Sequence, residues 1–252
     1  MKIGGRNYGD GTASPSPVET KDNSSSLSFA KVFGYMFLGL AITAAFSFLF
    51  GYIFSLWLAN SGKSANTGIA IILAVSSIAL IIMTFVVQGV LLKGKHAVAV
   101  PAIIYASLMG IMLSTFTMYI DWRLLGMAFG VTSVIFGLLA LIGVVSKGNM
   151  SGLKMVIIGL FMGVLVISLM SFVFALFMPA AYVSTMWILN FVIFAAVMLS
   201  VIVDVNNVKR ICDQGALSDN MSMYFAFTLY VDFIYIYIKI VYFLLIAAAR
   251  NK

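Results

Sequence analysis

Long runs of apolar residues without charged side chains make up most of the chain. A transmembrane α-helix needs about 20 consecutive apolar residues to cross the hydrocarbon core of a bilayer. Six runs reach that length: Val32–Leu58, Gly68–Leu92, Ala97–Ile120, Leu124–Val145, Met155–Met178 and Ala181–Val203. A seventh run, Met221–Ala249, contains Asp232 and Lys239 as its only charged residues. The pattern predicts seven transmembrane helices and an all-α membrane protein.

The connections between the runs are short, which favours one helical bundle without an inserted soluble domain. Residues 1–31 differ, because Gly11–Ser28 is rich in Ser, Pro, Thr and Asn and holds few apolar residues. Such a segment cannot bury enough apolar surface to offset the entropy lost on ordering. The sequence therefore predicts a flexible cytoplasmic tail over residues 1–31 and a seven-helix domain over residues 32–252.

Composition supports a membrane protein and indicates its orientation. Apolar residues make up 63% of the chain and charged residues 9%, and the mean hydropathy is +1.11. These values exclude a soluble globular protein. With the N-terminus inside, the inner connections hold ten of the fifteen Lys and Arg residues and the outer connections four. Because cations mark the cytoplasmic side, we expect a cytoplasmic N-terminus and an external C-terminus.

Aromatic, glycine and cysteine residues add structural expectations. Trp57, Trp122 and Trp187 fall at or near the predicted outer ends of their helices, as expected of interface residues. The small-residue motifs Gly126-x-x-x-Gly130 and Gly159-x-x-x-Gly163 predict close approach between helices. The single cysteine, Cys212, is expected in the loop after the sixth helix. No basic cluster is interleaved with exposed aromatics, so a nucleic-acid partner is not expected.

Two aspartates stand out, because Asp204 ends the sixth apolar run and Asp232 interrupts the seventh. A charged residue at the centre of a membrane helix costs about 2.5–3.5 kcal/mol on insertion scales, which points to a functional use. Counted from the predicted helix ends, the two residues differ in depth by about 10 Å. Contact between them would therefore need helix tilt, a helix break or bridging water.

Two carboxylates in a poorly solvated site cannot both ionise easily, so the pair is predicted to sense protons. Together with Asn206, Asn207, backbone carbonyls and water, Asp204 and Asp232 could also form a transient, low-affinity calcium site. Calcium is then a permeating ion, and no cofactor is expected.

The seventh run contains polar residues at the period of one helical face. The series is Tyr224, Thr228, Asp232, Tyr235, Lys239 and Tyr242. A face with an acid and an amine is expected to face the bundle interior or a water-filled path, with Thr228, Tyr235 and Lys239 as possible pathway residues. In the alternative, Lys239 snorkels to the outer interface and the tyrosines serve packing.

Two segments and the order of the spans resemble the Bax inhibitor-1 family. The segments are Asp204-Val205-Asn206-Asn207-Val208-Lys209 and Leu229-Tyr230-Val231-Asp232-Phe233-Ile234. Six spans, a short basic loop and a last span with an embedded aspartate also match this family. The resemblance implies a bacterial-type member in the plasma membrane, with the last helix at the centre of the other six. It also implies a pH-sensitive calcium leak governed by Asp204 and Asp232.

The chain departs from the family pattern at several positions. Met109 stands where members often carry a glutamate before the glycine of the third span. Tyr235 and Tyr242 stand where the last helix of members often carries an asparagine and an arginine. The second span ends with Lys93 and Lys95, without an arginine that could act on the aspartates.

Four alternatives to a leak channel remain open from sequence. The first is a non-conducting regulator that binds other membrane proteins, such as proteases or cell-death regulators, as the resemblance also suggests. The second is a retinal receptor with Lys239 as the Schiff base, although the third span offers no counter-ion acid. The third is a proton-coupled transporter, although no convincing inverted repeat is present. The fourth is an intramembrane hydrolase, although no protease motif surrounds Asp204 or Asp232, so the chain is not expected to be an enzyme.

Overall fold

The computed structural model describes residues 17–90, 98–146, 150–177, 179–215 and 217–250. These residues form seven α-helices and no strand. Each helix is long and apolar enough to cross a membrane, which confirms the predicted seven-span, all-α fold. The helices are α1 Pro17–Ser61, α2 Lys63–Val90, α3 Ala99–Tyr119, α4 Trp122–Val145, α5 Ser151–Phe177, α6 Pro179–Asp213 and α7 Asp219–Arg250.

The first helix begins earlier than the sequence indicated. α1 starts at Pro17, a residue whose fixed φ and missing amide donor suit the first helical position. Phe29, expected in the tail, packs against the buried core and contacts the ring of Phe33 with centroids 5.0 Å apart. The boundary between tail and bundle therefore moves towards the N-terminus, residues 1–16 lie outside the described part, and flexibility of the tail stays a prediction.

The sixth helix ends later than predicted, and this corrects the placement of Cys212. α6 continues through Asp213 and stops before Gly215, whose φ of 67° lies in the left-handed region that favours glycine. Polar residues after Asp204 do not break the helix, because polarity alone does not remove backbone hydrogen bonds. Cys212 therefore lies on α6, where it is buried, and not in a loop.

The helices pack as two groups joined by the last helix. α1 packs closely with α3, and α2 lies against both; α6 packs with α4 and α5. α7 packs against α1, α4 and α6 and touches α3, whereas α2 and α5 leave most of their apolar surface exposed. Contacts with both groups are compatible with a central α7, and its position at the centre of all six helices stays a prediction.

Glycines allow close packing at positions other than the predicted motifs. A Cβ added at Gly110 would lie 2.6 Å from the Thr43 carbonyl oxygen, so α1 and α3 approach closely there. A Cβ at Gly143 would lie 2.7 Å from the Ile202 carbonyl oxygen, at the contact between α4 and α6. The prediction that the two Gly-x-x-x-Gly motifs mark close approach between helices was wrong for packing within the chain. A Cβ at each of their four glycines meets no described atom within 4 Å: Gly126, Gly130, Gly159 and Gly163.

A polar clasp ties the beginning of α7 to its neighbours. Lys31 of α1 forms an ion pair with Asp219, in the first turn of α7. The Asn220 side-chain oxygen accepts a hydrogen bond of 3.0 Å from the backbone N–H of Val98, just before α3. We call this end of the bundle the clasp end. The opposite end, towards which Trp57, Trp122 and Trp187 lie, is called the tryptophan end. Which end faces the cytoplasm stays a prediction.

Candidate functional site between the last two helices

Antiparallel packing of α6 and α7 brings Asp204 and Asp232 together. Their carboxyl groups lie within hydrogen-bonding contact of each other. The depth difference is smaller than the sequence suggested, because α6 runs to Asp213 and α7 starts at Asp219. Asp204 then lies about 14 Å from its helix end and Asp232 about 20 Å, at 1.5 Å per residue. The remaining offset of about 6 Å is small enough for side chains and helix inclination to bridge.

The two carboxyl groups occupy unequal environments. Asp232 is buried with 7% of its surface exposed, and its Oδ2 atom has no hydrogen-bond donor among the described residues. Asp204 is half-buried, and its Oδ2 accepts a hydrogen bond of 3.2 Å from the Ser200 hydroxyl, one turn earlier on α6. Ionised carboxylates only accept hydrogen bonds, so a hydrogen bond between this pair requires one proton on one of them.

Few of the described cations lie near the pair. Lys154 on α5 acts electrostatically on Asp204, but its side chain is exposed. Lys209, also on α6, donates to the Val144 carbonyl oxygen of α4 at 2.7 Å. Two charged side chains are described on α1 and α4. Lys31 forms an ion pair with Asp219, and Arg123 lies in the first turn of α4, at the tryptophan end. Within the described residues, neither Asp204 nor Asp232 forms an ion pair with a cation, so no bound charge offsets their mutual repulsion.

The structure gives Asn206 a role in packing that does not involve the aspartates. Its Nδ2 donates to the carbonyl oxygens of Gly143, at 3.1 Å, and Ser146, at 2.7 Å. These carbonyls belong to the C-terminal end of α4, where helix geometry leaves acceptors without partners. Asn206 follows Asp204 by two positions, so the two side chains point about 200° apart around α6. Asn206 therefore caps α4 and lies away from the pair.

The other predicted pathway residues are dispersed. Asn207 is half-buried. Thr228 donates to the Tyr224 carbonyl oxygen of its own helix at 3.1 Å. Tyr235 and Tyr242 are 46% and 42% exposed. The expectation that these two tyrosines face the bundle interior is therefore wrong.

Lys239 has a hydrogen-bond partner that was expected neither for a pathway residue nor for a lysine that snorkels to the interface. Its Nζ atom donates to Oδ1 of Asn190 on α6, and the Asn190 Nδ2 donates to the Met186 carbonyl oxygen at 2.8 Å. The Lys239 side chain is half-buried. The ammonium group is thus bound at the α6–α7 contact, about two helical turns from Asp232 towards the tryptophan end.

The oxygen atoms at the pair suit a hydrated cation better than a tightly held one. Calcium takes about six to eight oxygen ligands, whereas the pair supplies two carboxylates with the Ser200 hydroxyl beside them. In the described part of the chain, no group of three or more His, Cys, Asp or Glu side chains could hold a metal ion. A calcium ion passing this point would keep most of its water.

Sequence reasoning missed three residues of this region. Ser200 lies four positions before Asp204, a spacing that places two side chains on one helical face. Asn190 is an uncharged polar residue inside the sixth apolar run and could have been matched to Lys239. Lys154 comes from α5, and its proximity to Asp204 depends on the packing of α5 against α6, which no local pattern reveals.

Comparison with known proteins identifies the family. The family model described as "Inhibitor of apoptosis-promoting Bax1" matches residues 26–250, which include all seven spans. The chain belongs to the Bax inhibitor-1 family. This Bax inhibitor-1 family protein is similar to an uncharacterized membrane protein of Streptococcus pyogenes serotype M3, with 27% identity covering 84% of this chain and 89% of the relative. An uncharacterized protein of Chlamydia muridarum is 28% identical, covering 82% of this chain and 86% of the relative. No solved structure matches the chain significantly.

Proposed function

We propose that this Bax inhibitor-1 family protein is a slow, pH-sensitive leak for calcium or other cations, controlled by Asp204 and Asp232. The observation that carries the proposal is the contact between the buried Asp232 carboxyl group and the half-buried Asp204 carboxyl group, which has no cation as an ion-pair partner among the described residues. A contact of this kind responds to protons, because its stability depends on whether the carboxyls carry one shared proton or none.

The physical magnitude is large enough to shift a conformational equilibrium. Two unit charges about 4 Å apart repel each other by about 4 kcal/mol at an effective dielectric constant of about 20. Since about 1.4 kcal/mol corresponds to a tenfold change in an equilibrium constant, this repulsion can change populations by nearly a thousandfold. With one proton present, a hydrogen bond holds α6 and α7 together at Asp204 and Asp232. With none, the same contact is repulsive and favours an alternative arrangement of the two helices.

Calcium chemistry at the site fits a leak better than storage. Two carboxylates attract a divalent cation when ionised, and the small number of fixed oxygen ligands keeps affinity low. Rapid release is therefore expected. Protons and calcium compete for the same oxygens, which couples flux to pH through Asp204 and Asp232.

Flux measured with purified protein tests this proposal. The protein is reconstituted into liposomes that enclose a calcium-sensitive dye, and influx is followed across a range of pH. We expect influx above that of protein-free liposomes, with a pH dependence that Asp204→Asn abolishes. Influx equal to that of protein-free liposomes at every pH would exclude conduction by the protein alone.

A non-conducting regulator of other membrane proteins is the second candidate. One observation favours it: a Cβ at Gly159 or Gly163 on α5 would meet no described atom within 4 Å, and the described part of α5 is mostly exposed. A helix of another protein could pack closely there. In that case purified protein would conduct no calcium, and Gly159→Leu would reduce binding to the partner.

A further inference from the structure

A groove at the tryptophan end lies between α1, α3, α4 and α7. Its volume is about 420 Å³, within the usual range of about 300–1,000 Å³ for small-molecule sites. The floor contains the apolar side chains of Leu40, Leu113 and Phe233, which belong to the buried core. Phe233 follows Asp232 directly, so the groove borders the part of α7 that carries the candidate site.

The groove opens sideways, between α1 and α4. These two helices do not pack extensively against each other, and the rim residues Phe48 and Trp122 are 62% and 72% exposed. The lining parts of α1 and α4 belong to membrane-spanning segments. The medium at this opening is therefore the bilayer, and an apolar cavity that opens there is filled by a hydrocarbon chain more readily than by water.

A cation lies beside Trp122, at the same rim. The Arg123 guanidinium carbon is 5.8 Å from the centre of the Trp122 ring. Asp121, two residues earlier, uses its Oδ1 to cap α4 by accepting from the Arg123 backbone N–H at 2.9 Å. Arg123 forms no ion pair within the part of the chain that the structure describes. Its planar fork of donors matches the oxygens of a phosphate group.

From these observations we infer that the groove binds one phospholipid, with an acyl chain in the groove and the phosphate at Arg123. The groove supplies apolar burial, Trp122 lies at the depth of the headgroup boundary, and Arg123 supplies the positive charge. Free phosphate lacks the chain that would fill the groove, which is why a lipid is the ligand. The inference does not depend on the proposed leak activity.

Tryptophan fluorescence tests the site, because Trp122 lies on its rim. A variant with Trp57→Phe and Trp187→Phe leaves Trp122 as the reporter in liposomes that contain a small fraction of phosphatidylglycerol with brominated acyl chains. Bromine quenches nearby indoles. We expect several-fold stronger quenching than in a second variant that retains only Trp187, which reports ordinary lipid contact. Equal quenching of Trp122 and Trp187 would overturn the site.

A matched pair of substitutions tests the groove itself. Gly126 lines the groove, and Gly137 lies about three turns further along α4, outside it. A Cβ at either position meets no described atom within 4 Å, so the two positions start from the same clearance for a side chain. Gly126→Leu fills the groove and is expected to reduce Trp122 quenching several-fold, whereas Gly137→Leu leaves it unchanged. Identical quenching in the two variants would contradict a bound chain.

Two further experiments complete the test. One repeats the groove substitution at another residue in case Gly126→Leu does not fold, and the other identifies the source of the phosphate. Ala44 lines the groove from α1 and Ala45, next to it, does not. Ala44→Leu is expected to repeat the effect of Gly126→Leu, with Ala45→Leu as its control. Arg123→Gln should remove the preference for brominated phosphatidylglycerol over brominated diacylglycerol, and inorganic phosphate should not compete. Retention of this preference in Arg123→Gln would overturn the assignment of the phosphate to Arg123. Competition by inorganic phosphate would overturn a lipid as the ligand.

Discussion

Replacing Asn206 tests whether this residue stabilises the fold or belongs to the ion site. In Asn206→Ala the carbonyl oxygens of Gly143 and Ser146 lose the donors described above. The contact to the Gly143 oxygen is buried and the contact to the Ser146 oxygen is part-buried. A buried acceptor left without a partner costs about 1–3 kcal/mol, so the two together cost up to about 6 kcal/mol. The substitution also removes the Asn206 Oδ1 atom, which is itself buried without a donor among the described residues, and this offsets about 1–3 kcal/mol of the loss. The expected net loss of stability is about 1–3 kcal/mol.

Thermal unfolding in detergent measures this loss. The chain contains one cysteine, Cys212, and it is buried, so a thiol-reactive fluorogenic dye reports its exposure on unfolding. A change of about 1 kcal/mol shifts the melting temperature of a chain of this size by about 2–4 °C. We expect Asn206→Ala to lower the melting temperature by about 2–12 °C.

Asn207→Ala is the matched control. Asn207 is the next residue on α6 and only half-buried, and alanine favours the helix by a few tenths of a kcal/mol. Its melting temperature should stay unchanged or rise slightly. The reasoning would be refuted if both variants melted alike, or if Asn206→Ala removed the pH dependence of calcium flux while Asn207→Ala did not.

Two further substitutions test the packing around α3 and α7. Gly110→Ala places a methyl group 2.6 Å from the Thr43 carbonyl oxygen, so we expect thermal unfolding to show a loss of about 1–3 kcal/mol in stability. A Cβ at Gly126 meets no described atom within 4 Å, so Gly126→Ala should be tolerated. Equal melting temperatures of the two variants would contradict the close approach of α1 and α3. Tyr230→Phe removes the hydroxyl contact with Thr43 at 2.6 Å, but Thr43 still donates within the bundle, so we expect a loss of only about 0.5–1.5 kcal/mol. A larger fall than for Gly110→Ala would show that this hydroxyl has a role beyond one hydrogen bond.

The number and type of elements could be predicted from sequence because the bilayer sets both. Its thickness requires runs of about 20 apolar residues, and its lack of water requires that the runs be helices. The helix ends could not be predicted with the same success. α6 passes through Lys209 and Arg210 to Asp213 because helix termination depends on backbone conformation, here the left-handed Gly215, more than on polarity.

The candidate site could be predicted in part. The cost of a carboxylate in a membrane helix singles out Asp204 and Asp232 from sequence alone. Their contact depends on the exact helix ends, and the partner of Lys239 depends on how α6 packs on α7. The glycine motifs did not predict packing within the chain for a related reason. Residue spacing shows which helix face carries small side chains, but it does not show whether another helix lies against that face.

Calcium flux through Asp232→Asn tests the central claim most directly. The substitution supplies a neutral amide whose N–H can donate to Asp204 at every pH, as the proton of a singly protonated pair would. We predict that its flux is independent of pH and equal to the acid limit of the natural protein. Asp121→Asn, which keeps a good helix cap, should retain the natural profile. An unchanged pH profile in Asp232→Asn would contradict control of the leak by the aspartate pair.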